Sequence, residues 1–495
     1  MIEDKINIHD KHQFELQLGY DLNPLNQNSN FNLDIYLFFS SNLGLNPHTY
    51  TTQNFYSDLQ NYTRLKTPNI LLKNIYETQN SPLNKLKKNF KDFTLVQNQK
   101  ADPENYYSQI KLFCCTFKNA LKEHTDFIMS KKDQKDIEYL IKEYILHINN
   151  ILEEYHSLRK IINVPIIKEK MFTVYQYGEE YLTYLTEDFT FPLIEWVKNI
   201  KNSKLQKETE TLFIFIKQIQ NSRKSYRQYI NNQEELNNNH EKLIYRKNML
   251  KKYMSTTLYL TTYRKKSGKL IEQAVMSISA GLAMFFATII AFAAQMKYGM
   301  FTTNFFIILI ISYMFKDRIK EISKFYFNIK LRNFLFDHVT NLYNNLKQKI
   351  GGSKESFGFI DITKVPSGIL KIKNKDLVTK IDAEIDENVI LYKRQIKINT
   401  KPFQKAYKSD HIDGIQEIFR FNIQKFLKRM DDPKKTLYLT TEDKYEKIHG
   451  DRVYYLNMVI KYTQDENYFF NSFRITLNQN GIKKIKKIYT NKNNL

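Results

Sequence analysis

Residues Ser277–Lys320 read SISAGLAMFFATIIAFAAQMKYGMFTTNFFIILIISYMFKDRIK, an apolar block in a chain otherwise rich in Lys and Asn. Whether this block is a buried core, one membrane span or two decides the fold class. Residues 274–294 carry no charge, which is about 32 Å of helix at 1.5 Å per residue. Residues 298–315 carry none either, about 27 Å. A bilayer's hydrocarbon core is about 30 Å thick, so each segment has the length to cross once. Between them stands Lys297, beside Gly299. One helix through both would hold that ammonium in hydrocarbon at a cost of about 2.5–3.5 kcal/mol, and a tight turn avoids it. The expectation is a two-helix transmembrane hairpin within 269–320. A soluble helix pair would show a polar stripe, and neither LAMFFATIIAFAA nor FFIILIISYMF has one.

The flanks give the orientation. Arg264, Lys265, Lys266 and Lys269 precede the first segment, and Lys316, Arg318 and Lys320 follow the second. Lys297 is the one base at the turn, so the positive-inside rule places both chain termini in the cytoplasm. The expected site is a cell membrane, of the bacterial inner-membrane type, crossed twice. Ser279, Ala283, Ala287 and Ala291 recur at a four-residue spacing along the first segment. Small residues on one face let helices approach closely. They fit packing within the hairpin, or a seam between copies of a homo-oligomer. Neither segment holds an Asp, Glu, Lys, Arg or His, which argues against a proton relay or charged transport site.

Working outward, FELQLGYDL (14–22) and residues 31–37 alternate apolar and polar positions and read as strands. NPLNQNSN between them reads as a turn or hairpin loop. A short helix behind a Thr cap follows, closing a β-containing N-terminal domain over 1–100. Residues 101–268 read as a helical or coiled region. There Ile137, Leu140, Ile141, Tyr144, Ile148, Ile151, Tyr155 and Leu158 form one stripe. Trp196 reads as a packing anchor. Residues 321–350 read as a basic juxtamembrane helix, able to lie along anionic lipid headgroups. GGSKESFG is expected to break the pattern, opening a C-terminal α+β domain over 351–495. Its expected strands are FGFIDI, GILKIKN, VILYKRQIKI, TLYLTT, VYYLNMVIKY and SFRITL, with a helix over GIQEIFRFNIQKFLKRM and a hairpin turn at TQDEN. Lys483, Lys484, Lys486 and Lys487 fall in a solvated strand or tail. The fold class expected is thus an α+β multi-domain membrane protein.

Composition adds bounds. The 495 residues carry 75 Lys and Arg against 52 Asp and Glu, a net charge of +23. The excess is not uniform, because residues 1–80 hold eight acids and five bases. The excess fits an anionic membrane surface, nucleic acid, or a compositional bias towards Lys. No zinc finger or RNA-binding signature accompanies it, so nucleic acid is not expected. Cys114 and Cys115 are adjacent, a spacing that strains a disulfide, and suit a reducing compartment. The N-terminal stretch MIEDKINIHDKHQFELQLGY has no apolar signal core, so no secretory peptide is expected.

The search for chemistry gives no constellation. GGSK (351–354) lacks phosphate-loop spacing. DAEIDENVILYK lacks the calcium loop's glycine and final acid. Glu143 with His147, and Glu154 with His156, form no metal motif and are expected to be solvated. No nucleophile elbow is present. No cofactor or metal is expected. The function expected is a scaffold, sensor or tether working by protein–protein interaction. The alternatives are an oligomeric pore-forming effector and a membrane-bound enzyme with dispersed residues.

Overall fold

The computed structural model describes residues 2–94, 103–164, 169–200, 205–227, 240–299, 302–332, 336–345, 347–376, 386–440, 444–464 and 467–491. The chain is α+β and divides into two units: Met1–Thr63 with Leu260–Ala406 and Ile415–Leu495, and Arg64–Tyr259 with Tyr407–Gly414.

The first unit is built from strands. They are β1 (Ile2–Asp10), β2 (Gln13–Asp21), β3 (Asn28–Ser40), β4 (Leu59–Leu65), β5 (Thr261–Lys266), β6 (His338–Tyr343), β7 (Lys349–Ile360), β8 (Glu387–Asn399), β9 (Gly414–Asn422), β10 (Lys434–Thr440), β11 (Tyr445–Asp451), β12 (Tyr454–Gln464), β13 (Asn467–Asn478) and β14 (Gly481–Asn491). One sheet has the order β1-β2-β9-β4 and another β14-β13-β12-β3-β8-β7-β6-β5, while β10-β11 is a separate ribbon. Aromatic contacts join the two large sheets: Tyr20 meets Phe31 with ring centroids 4.9 Å apart, and Tyr392 meets Phe419 at 6.2 Å. Phe55, from the short helix Thr52–Asp58, stacks on Phe357 at 4.3 Å. That helix is capped as expected, with the Asn54 N–H donating to Thr51 Oγ.

The expected domains at 1–100 and 351–495 are not separate. β3 lies between β8 and β12, with Ile35 opposite both Tyr392 and Ile460. β2 and β3 do not form a hairpin with each other, since they belong to different sheets. GGSKESFG does not break the pattern but lies inside β7. A Cβ at Gly351 would collide with the Lys397 carbonyl oxygen on β8, so glycine serves close strand approach here. GILKIKN is helical (Ser367–Lys373), with Ile369 and Ile372 buried on one face. The expected helix at 414–430 is strand β9 followed by a single turn, Gln424–Leu427. β9 is buried on both faces, and such a strand loses the two-residue alternation that would identify it. VILYKRQIKI, VYYLNMVIKY and SFRITL are strands as expected, and FGFIDI is strand as far as Ile360. TLYLTT is strand to Thr440, its last residue lying outside the described residues. β12 pairs with β13 across the TQDEN turn from Gln464↔Asn467.

The second unit is helical: Pro82–Thr94, Pro103–Ser130, Gln134–Ser157, Arg159–Ile162, Glu169–Asn199, Gln206–Arg227 and His240–Ser255. Its core takes in the expected stripe, with Ile137, Ile141, Tyr144, Ile148, Ile151, Tyr155 and Leu158 all buried. Tyr155 and Tyr175 stack at 5.0 Å, and each hydroxyl donates to the other residue's carbonyl. Trp196 packs partly buried against this core. Cys114 and Cys115 are free and buried, and burial pushes the Cys115 thiol up to about 12. His147 is not solvated as expected: it is buried, shared between Tyr76 Oη at Nδ1 (2.9 Å) and Glu143 at Nε2 (3.0 Å).

Candidate functional site: an exposed apolar hairpin and its charged root

Between β5 and β6 the chain leaves the sheet as two helices, α1 (Lys269–Tyr298) and α2 (Thr303–Arg332). Gly268 opens α1 in the left-handed region, at φ 90°, and Gly299 closes it at φ 76°. Both conformations favour a residue without a Cβ. Ser312 Oγ donates to the Ala287 carbonyl at 3.3 Å, which fixes the register of the antiparallel pair. Val275, Ser279, Ala283 and Ala294 of α1 and Ser312 of α2 are buried. Ala287 and Ala291 are half-buried on the same stripe. Four small residues predicted to mediate helix packing therefore lie on the one face of α1 that the chain covers, and α2 is the element packed on that helix.

The other faces of the hairpin are apolar and open. Phe285 is 65% exposed, Phe292 66% and Phe306 63%. Leu282, Ile289, Ile307, Ile310, Met314 and Phe315 are exposed as well. A soluble core helix hides such side chains, whereas these remain uncovered. α1 is long and apolar enough to cross a membrane: within Gln273–Tyr298 the most apolar 18-residue window has a mean hydropathy of 2.1, and only 17% of that window is buried. α2 does not reach that measure. Lys316, Asp317, Arg318 and Lys320 interrupt it, leaving Thr303–Phe315 free of charge, about 20 Å of helix. The expectation of two equivalent spans therefore meets one qualifying helix among the described residues. The expected basic helix at 321–350 is the second half of α2 and stops at Arg332. Residues 338–345 and 347–350 belong instead to β6, its turn and β7.

The hairpin stands on a ladder. The Ser267 N–H donates to the Asp337 carbonyl, and the Asp337 N–H to the Glu355 carbonyl, so β-type bonding continues up to the helices. Arg264, expected as one of the topology-determining flank charges, is ion-paired to Glu355 at 2.6 Å, and its guanidinium lies over the Tyr56 ring. Lys265 and Lys266 are exposed on β5. The Lys269 side chain lies outside the described residues. Lys316 stands half-buried with Nζ 3.8 Å from the Tyr313 ring centroid. Arg318 pairs with Glu321 at 3.2 Å, and Lys320 is exposed.

Below this root lies a buried cluster with no local sequence motif. Arg394 on β8 donates Nε and Nη2 to Glu417 on β9, the latter at 2.6 Å, and Nη1 to Glu355 on β7 at 2.9 Å. The side chains of all three are at most 3% exposed. Tyr392 Oη donates to Glu355 at 2.7 Å, and Tyr20 Oη and Thr63 Oγ1 to Glu417. Burial opposes the Arg394 charge, but Glu417, Tyr392 and Glu355 outweigh it and hold the guanidinium cationic. Burial and Glu355 push the Tyr392 hydroxyl up, keeping it a donor. At the cluster's rim, Tyr56 Oη donates to Asp337 at 2.9 Å, and His338 lies 3.9 Å from Glu355. Burial and nearby Arg264 lower the His338 pKa, which favours the neutral ring. One Arg divided between two acids leaves no unpaired nucleophile or base, so the cluster ties the two sheets together.

Elsewhere a small cleft in the helical unit is lined by Lys85, Gln109, Asp410 and His411, but Lys85 and Asp410 neutralise each other there. Among the described residues no group of three or more His, Cys, Asp and Glu is placed to hold a metal. The fold and this site define a class: an α+β protein carrying an exposed apolar helix pair. Compared with family models, with curated proteins and with solved structures, the chain matches none.

Proposed function

We propose that the chain is an integral membrane protein anchored by α1 and α2 as a hairpin that enters and leaves on one side. Both folded units then sit on the cytoplasmic side of a cell membrane. They act by protein–protein interaction, as a scaffold, sensor or tether, without chemistry of their own. The observation that carries this reading is the hairpin's exposed apolar surface, which water would penalise by about 25 cal/mol for each Å² left uncovered. Lys265, Lys266, Lys316 and Lys320 at its root support the orientation. The inward-facing Ser279–Ala283 stripe favours an anchor over an oligomeric pore, because those small residues are already occupied by the hairpin's own packing.

The test is membrane extraction. Phe306→Lys with Ile310→Lys places two ammonium groups on the open face of α2. On insertion scales each costs about 2.5–3.5 kcal/mol at a bilayer centre. The native chain is expected to stay with membranes through alkaline carbonate, and the double variant to appear in the soluble fraction. Native protein released by carbonate would sink the anchor.

A further inference from the structure

The hairpin's two helices lose their apolar character at different depths. With Ser312 level with Ala287, antiparallel register sets Lys316 level with Ala283 and Phe325 level with Ala274. Over that interval α1 carries no charge and exposes Met276, Ile278 and Leu282. The facing interval of α2 carries Lys316, Asp317, Arg318, Lys320, Glu321 and Lys324, with Ile322, Phe325 and Tyr326 exposed between them. A hydrocarbon core of about 30 Å needs about 20 residues of helix. Counted back from Met296, that depth on α1 ends near Ser277, which is level with Ile322. A flat bilayer would therefore submerge the charges at 316–321 on the α2 side alone.

Such a mismatch is relieved by local thinning, with long basic side chains reaching for phosphate. Resting on the anchor reading above, we infer that the exposed surface of α2 over residues 316–326, on both sides of the line it packs against α1, binds anionic phospholipid headgroups. Lys316, Arg318, Lys320 and Lys324 meet the phosphates, and Ile322, Phe325 and Tyr326 rest among the upper acyl carbons. Four bases against two acids give the charge complementarity. The alternation of bases with Phe and Tyr is the composition of a membrane interface. The membrane is then thinner beside α2 than beside α1. A second copy of the chain covering the same face is the competing occupant.

The experiment uses the full chain in vesicles, with Trp196→Phe removing its one tryptophan. In that background Phe325→Trp is the surface probe, reporting the proposed binding face, and Phe306→Trp is the anchor probe. Quenching is compared between brominated phosphatidylcholine and brominated phosphatidylglycerol in mixed vesicles. Emission of the surface probe is expected to be quenched several-fold more by the anionic lipid. That preference should vanish in about 1 M salt, where the Debye length is about 3 Å. It should also vanish in the variant with Lys316, Arg318, Lys320 and Lys324 changed to Gln. Emission of the anchor probe should be quenched by both lipids in every case. Equal quenching of the surface probe by both lipids overturns the inference while leaving the anchor intact. A surface probe that is unquenched, with a blue-shifted emission that reverses on dilution into more lipid, assigns the face to a second copy. An unquenched anchor probe removes the anchor itself.

Discussion

The interior of the sheet unit and the exterior of the hairpin invert the usual arrangement in opposite ways. The sheets bury Arg394, Glu355 and Glu417, while the hairpin exposes Phe285, Phe292 and Phe306. The first is stable because every charge meets a counter-charge and several hydroxyl donors, so desolvation is offset locally. The second has no such compensation within the chain, so its partner must come from outside. The two regions touch at Arg264 and His338, where the strands bearing the hairpin reach Glu355. A protein can bury charge only where geometry is complete, and can expose apolar surface only where the surroundings are not water.

The sheet side of that comparison breaks most sharply at its centre. Arg394→Met takes from Glu417 its guanidinium partner and leaves Glu355 to the half-exposed Arg264. Removing one partner of such a buried cluster costs about 3–5 kcal/mol. Chemical denaturation in mild detergent should show this loss. Arg394→Met combined with Glu417→Leu should regain part of it, because the orphaned carboxylate is gone. A single variant as stable as the native chain would mean the cluster contributes nothing to holding the sheets together.

A carboxyl in the helical unit sharpens the point, because it lacks this completeness. Glu179 is buried 3.5 Å from His156. Burial outweighs the attraction of Arg159 and raises the Glu179 pKa to about 7. Burial also lowers His156 to about 4, so the ring is neutral near pH 7 and adds no charge to the attraction of Arg159. A raised folded pKa leaves stability intact below the unfolded value of about 4.5 and removes it as pH climbs through about 7. Glu179→Gln should therefore stabilise the unit at pH 8 by up to roughly 3 kcal/mol, since one pKa unit is about 1.4 kcal/mol. The gain should fade towards pH 4.5. An equal effect at both pH values would show that packing, not ionisation, is responsible.

How much of this was legible in the sequence follows from which interactions are local. The hairpin could be read because its apolar run is continuous, and the helix at 134–157 because its stripe repeats every three or four residues. The sharing of sheets between residues 1–40 and 387–491 could not, because pairing partners such as Ile35 and Ile460 leave no mark on each other's neighbours. The Arg394 cluster was missed for the same reason, drawing its members from β7, β8 and β9. A faint signal exists. Arg394 shares the two-residue phase of Tyr392, Ile396 and Ile398, and Glu417 that of Ile415, Phe419 and Phe421, so each charge falls where an apolar residue is due. Even α2's failure to match α1 was visible at Lys316, but its depth became readable only once Ser312 was set against Ala287.

The smallest expected effects separate the inner and outer faces of the hairpin. Ala283 is 1% exposed on the packed face, whereas a Cβ added at Gly281 meets nothing within 4 Å. Ala283→Leu inserts three carbons into a closed contact, and overpacking of that kind costs about 1–3 kcal/mol. Gly281→Leu projects a whole leucine side chain, four carbons, into open space and should change stability by less than about 1 kcal/mol, aided by leucine's better helix propensity. If the small-residue stripe serves the hairpin alone, Ala283→Leu lowers the melting temperature in detergent while the particle mass stays constant. If instead Gly281→Leu changes the mass, copies of the chain meet through the outer face. The surface that looks lipid-facing in one chain would then be covered by protein in the assembly.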